Sequence, residues 1–175
     1  MLTRLAFAVA LGVTCVASLR GQVDEYRVKA FFLYNFARYV EWPAQRFKAA
    51  GDPIVICILG NNPFSSSLDE AIAGKLVDGR PFVVHQIPGI QPAGNCHILF
   101  VTSSERKQFR SMAESLKGAG VLTVGETQGF TADGGVINFK LENSKVRFEI
   151  NVDAAERQHL HVSSKLLSLA QAANR

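Results

Sequence analysis

The sequence predicts an α/β fold: a single three-layer domain with a mixed central sheet flanked by helices and a C-terminal β-hairpin plus helix. Three observations predict it. Ile54 to Leu59 is a wholly apolar run of strand length and His97 to Thr102 reads as a second, the composition of strands buried on both faces of a parallel sheet. Segments able to form helices alternate with these runs. Near the end, Val146, Phe148, Ile150 and Val152 alternate with Lys145, Arg147, Glu149 and Asn151, a period of two that buries one face of a strand and leaves the other to water or a partner. No repeat or low-complexity linker divides the chain.

The elements follow in order. Residues 1–22 open with Arg4, continue apolar from Leu5 to Ala17 and end in small residues, the build of a secretory signal peptide. The apolar run of about 13 residues is shorter than the roughly 20 that span a bilayer. The domain is therefore expected over residues 23–175, exported from the cytoplasm. From Asp24 to Val40, Val28, Phe32, Phe36 and Tyr39 recur at helical spacing, with Asp24 as N-cap and Pro43 as the stop. Residues 26–47 hold eight of the 16 aromatic side chains, more than one narrow stripe needs, so this is either a thick core helix or one clamped by a second protomer. A strand at Ile54–Leu59, a turn at Gly60–Pro63 and a helix from Phe64 to Ala73 ended by Gly74 make a βα unit. Then come a strand Pro81–Ile87, a loop Pro88–Asn95, a strand His97–Thr102 and a helix capped by Ser103 or Ser104 and reaching Lys117. Val121–Val124 is a short strand and Gly125–Gly135 a loop. Val136–Leu141 and Lys145–Val152 form a hairpin, and Ser163 caps a last helix to Ala172.

Charge excludes one class of function. The chain carries 19 Lys and Arg against 15 Asp and Glu, a net of +4, but Arg4 and Arg20 lie in the segment expected to be removed. A near-balanced domain gives no electrostatic reason to expect nucleic acid. Removal also takes Cys15, leaving Cys57 and Cys96 as an even pair in an oxidising compartment, either a disulfide or two buried thiols.

The inventory of chemistry is thin. There is no G-x-S-x-G, H-E-x-x-H, paired-carboxylate or cofactor motif, and Ser163, Ser164 and Lys165 lack the S-x-x-K spacing. His159 and His161, two apart on a strand, would share a face, yet two ligands make an incomplete metal site and a surface pair is the competing reading. A binding protein without cofactor or metal is expected rather than an enzyme. The candidate binding residues are Arg147 and Glu149 on the exposed face of the last strand, against a solvated face or an internal salt bridge. Arg46, after the Trp42–Pro43 turn, and His161 are candidates for an acidic or small aromatic ligand.

In sequence, KAFFLYNFARYVEWP (Lys29–Pro43), CHILFVTSS (Cys96–Ser104), Leu122–Val124, GGVINF (Gly134–Phe139), RFEIN (Arg147–Asn151) and SSKLLSLA (Ser163–Ala170) together resemble the YfiR family of periplasmic proteins, over nearly the whole domain. The resemblance implies a periplasmic repressor that binds the periplasmic sensor domain of an inner-membrane diguanylate cyclase, keeps cyclic di-GMP low and so limits biofilm. It also implies an OmpA-like outer-membrane lipoprotein that sequesters the repressor, a homodimer, and an input from envelope or redox stress. Cys57 and Cys96 match the family's principal disulfide, whereas a second pair found in some members has no counterpart. Other branches serve other receptors, which leaves a small-molecule sensor acting on a histidine kinase as the alternative.

Overall fold

The computed structural model describes the backbone of residues 10–89 and 93–173, and the side chains of these except 10–20, 23, 24 and 171–173. Of the expected export segment, residues 1–9 lie outside the described residues, as do residues 90–92 of the loop expected at Pro88–Asn95. Helix α1 spans Ala10–Tyr39 and strand β1 Val40–Glu41. Next are β2 (Ile54–Leu59), α2 (Ser67–Ile72), β3 (Phe82–Ile87), β4 (Ile98–Val101), α3 (Arg106–Met112), β5 (Leu122–Gly125), β6 (Ile137–Glu142) and β7 (Lys145–Ile150). The chain ends in α4 (Val152–Arg157), β8 (His161–Val162) and α5 (Ser164–Ala173). Among the described residues no helix is long and apolar enough to cross a membrane.

The main sheet has the order β3-β2-β4-β5-β6-β7, parallel throughout except for the antiparallel β6–β7 hairpin. It is the mixed sheet expected. Alternation along the central strands builds three layers, because successive side chains leave opposite faces. Ile54, Ile56 and Ile58 of β2, with Ile98 and Phe100 of β4, point into a large core under α1, α2 and α5. Cys57, Leu59, Leu99 and Val101 point the other way, into a second core with Phe109 and Met112 of α3.

Several boundaries move for local reasons. α1 runs through residue 24, so the helix does not begin at the N-cap expected there, and it stops at Tyr39 because Val40 and Glu41 pair with Val162 and His161 in a two-stranded ribbon that the sequence reading lacked. The helix expected from Phe64 begins only at Ser67, since Asn62 Oδ1 takes the Phe64 amide in a side-chain turn. The helix expected to reach Lys117 is regular only to Met112, after a 3-10 turn at Ser103–Glu105. The last strand stops at Ile150, where Asn151 Oδ1 accepts the Ala154 amide at 2.9 Å and caps α4. Ser163 behaves as expected, its hydroxyl accepting the Leu166 amide at 3.3 Å.

Candidate functional site

In an open α/β sheet the usual ligand crevice lies outside the carboxyl ends of the strands where the strand order reverses, which here is between β2 and β4. This chain fills that crevice with its own side chains. Thr102 Oγ1 donates to the Leu59 carbonyl at 2.9 Å and meets Ser104 Oγ at 3.0 Å, and Gln86 donates to the Gly60 carbonyl at 3.0 Å. Gly60, with φ +94°, has room only for hydrogen, since a Cβ there would run into Thr102 Oγ1 and come within 2.8 Å of Glu105 Cγ. Farther along, the Phe130 ring covers Gly125 and Gly135 and stacks on Phe109 at 4.3 Å.

The residues singled out in the sequence fall at opposite ends of the sheet. At the amino end, Cys57 and Cys96 are disulfide-bonded, with Cα atoms 5.8 Å apart, joining β2 to the residue pair that leads into β4. Arg46 sits beside them on a 3-10 turn, and its guanidinium donates to the Gly94 carbonyl at 2.9 Å and the Cys96 carbonyl at 2.7 Å. Burial pushes the Arg46 pKa down. The fork of Arg46 is thus spent on holding the backbone around the disulfide.

His97, buried, completes this end. Its Nδ1 accepts the Val55 amide at 3.1 Å, Trp42 Nε1 donates to its carbonyl at 3.2 Å, and its ring stacks on Phe47 with centroids 4.5 Å apart. Arg80 lies on the other face of Phe47, 3.8 Å from the centroid, so guanidinium, phenyl and imidazole form three layers. Burial and the Arg46 charge push the His97 pKa down to about 4, so the ring is neutral and its Nδ1 is an acceptor at neutral pH. His97 is not among the residues that the sequence singles out, because its partner Val55 lies 42 positions away. The signal available was the aromatic cluster around it.

His161 is exposed on β8 opposite Glu41, and His159 stands outside that strand in a left-handed turn. The shared-face premise for a metal pair fails, and among the described residues no three His, Cys, Asp or Glu side chains could hold a metal. Arg46 and His161 both belong to the amino end, on the turn and ribbon that follow α1.

Arg147 and Glu149 belong to the other end. Glu149 faces Asn138, whose strand partner is the last residue of β5, Gly125. Its carboxylate accepts from Thr131 Oγ1 at 2.8 Å and pairs with Lys140. Burial works to raise its pKa, but the bonds from Lys140 and Thr131 outweigh it and the net shift is down. Of the readings weighed for Glu149, the structure displays the internal ion pair. Arg147, directly opposite Lys140, makes no ion pair among the described residues.

A family model described as YfiR/HmsC-like matches residues 26–171, which takes in every strand, α2 to α4, and parts of α1 and α5.

Proposed function

Because the chain belongs to the YfiR/HmsC-like family, we propose that it is a periplasmic regulator of cyclic di-GMP signalling, one that binds the periplasmic sensor domain of an inner-membrane diguanylate cyclase and holds its output down. The observation that carries this reading is the match over residues 26–171, which embraces every element of the sheet. The filled crevice at the strand-order reversal favours a binding surface over a catalytic pocket. The disulfide and the residues before Val23 favour export. In this reading an OmpA-like lipoprotein competes for the regulator, and two copies assemble as a homodimer. Deleting the gene in its own host, beside a strain carrying it on a plasmid, tests the proposal. Cyclic di-GMP and biofilm should rise on deletion and return on complementation. Unchanged levels in a host with a cyclase of that architecture would overturn it.

One observation favours a second reading, a small-molecule sensor acting through another receptor such as a histidine kinase. A cleft of about 270 Å³ at the amino end has Trp42 and Phe47 in its wall, Val40 and Ile54 at its floor, and Glu41 and Arg80 at its mouth. Calorimetry of the exported form with aromatic metabolites tests it, and no heat at millimolar ligand rejects it.

A further inference from the structure

The hairpin outruns the sheet. β5 ends at Gly125, opposite Asn138, while β6 continues to Glu142 before β7 turns back at Lys145. At roughly 3.3 Å per residue, the four residues past Asn138 project about 13 Å beyond the last parallel strand. α1 lies along the same projection, with Phe32 against Phe148 at 5.3 Å and against Phe139 at 6.0 Å between ring centroids. Past Phe32 the helix and the hairpin diverge and leave an open groove of about 620 Å³.

The groove is apolar with a cationic rim. Val28 and Phe32 of α1 face Leu141 and Val146, which are cross-strand partners and therefore share a face of the hairpin. Val28 is 42% exposed and Leu141 59%, and Phe31, three residues after Val28 and beside it on the helix, is 55% exposed. These are three of the six large apolar side chains that the described residues leave exposed, so they form a patch and not a scatter. Lys145 and Arg147 stand on the rim without an ion-pair partner among the described residues, even though Glu142 is opposite Lys145 in the ladder. The carboxylate on the α1 side, Glu25, is already taken by Lys29.

We propose that this groove is the docking site for an amphipathic helix of the protein that the chain regulates, its apolar residues seated on Val28, Phe32, Leu141 and Val146 and its carboxylates against Lys145 and Arg147. The inference rests on the regulatory reading above and names the surface that serves it. A concave groove between a helix and a hairpin admits a helix and not a flat bilayer. Unpaired cations beside an apolar floor select an acidic amphipathic partner over a neutral one and over a second copy of the same cationic rim.

The test uses chromosomal variants of the full chain in its own host, with the gene deletion as reference. Val28→Asp with Leu141→Asp, and separately Lys145→Glu with Arg147→Glu, should raise cyclic di-GMP to the level of the deletion, whereas Lys107→Glu on α3 should not. Thermal unfolding and disulfide content of the purified variants separate loss of docking from loss of fold, and the surface charge reversal guards against misfolding of the apolar pair. In parallel, a photo-crosslinking phenylalanine at Leu141 should form an adduct with a peptide bearing both apolar and acidic residues. Charge reversal should reduce that adduct on the order of tenfold, the effect of about 1.4 kcal/mol. If deletion raises cyclic di-GMP and the folded groove variants still repress, the docking site is wrong and the regulatory reading stands. If deletion changes nothing, the regulatory reading falls and the crosslink judges the groove alone. There the charge-sensitive acidic adduct supports it, and no adduct, or one only with a second copy, overturns it.

Discussion

Lys29 Nζ lies 2.8 Å from Glu126 Oε2, and both side chains are buried. The pair ties α1 to the residue directly after β5, and the Tyr26 hydroxyl donates to the same carboxylate at 3.2 and 3.1 Å. Burial and the Glu126 charge push the Tyr26 pKa far up, so the phenol stays a donor. Removing one partner of a buried pair leaves an uncompensated charge, which costs more than the pair contributes. Glu126→Gln should therefore destabilise by about 3 kcal/mol in urea unfolding, while Lys29→Met with Glu126→Leu should come back to within about 1 kcal/mol of the parent. A single variant as stable as the parent would mean that Glu25, the other carboxylate on Lys29, suffices.

The disulfide closes 39 residues between neighbouring parallel strands and is buried in the α3-side core. The chain-entropy account gives roughly 4 kcal/mol for a loop of that size. Cys57→Ala with Cys96→Ala should lower the unfolding free energy by about that amount and leave far-UV circular dichroism native at low temperature. Free alkylation of both thiols in the exported protein without reductant would contradict the bond.

What the sequence made legible follows from what the signal is local to. The central strands could be read from Ile54–Leu59 and Ile98–Val101 because burial on both faces demands unbroken apolar runs, and the hairpin from the alternation across Lys145–Ile150. The β1–β8 ribbon could not, since two-residue strands have no periodicity and Val40 pairs with Val162 only once the fold is made. The end of the last strand was misplaced because Val152 continues the apolar alternation, while the decision belongs to the Asn151 side chain. Cys57 and Cys96 stand out by residue type, and Glu149 by its place on the exposed face of the last strand. His97 and Lys29 do not, because a buried polar residue is visible only through partners 42 and 97 positions away.

Arg46 should prove a positioning residue for the amino end. Arg46→Ala strips a donor from the Gly94 carbonyl, and leaving such an acceptor unsatisfied costs about 1 to 3 kcal/mol. Gly120→Ala should mimic it, because a Cβ there comes within 2.9 Å of Arg46 Cδ on a backbone with φ +68°. Trp42 is the sole tryptophan and bonds the His97 carbonyl at the same end, so its emission should shift to the red in both variants. Unchanged emission with unchanged stability would show that the guanidinium is dispensable there.

His97 sets a pH dependence whose sign is fixed by its geometry. The ring accepts the Val55 amide through Nδ1, and protonation would turn that acceptor into a donor facing another donor. Its folded pKa of about 4 lies below the ordinary 6.5, so the unfolded chain binds the extra proton first, and stability falls as the pH drops from 6.5 toward 4. The loss should approach roughly 2 kcal/mol once solvent screening is allowed for. Glu149 and Asp52, whose carboxyl pKa values are also lowered, add losses of the same sign, but only as the pH falls through the carboxylate range below about 4.5. Urea unfolding between pH 7 and pH 4.5 therefore isolates the imidazole. His97→Asn, which keeps an acceptor but cannot titrate, should be less stable than the parent at pH 7 and lose less on acidification. Parallel curves for the two proteins across that window would show that the ring is already open to water.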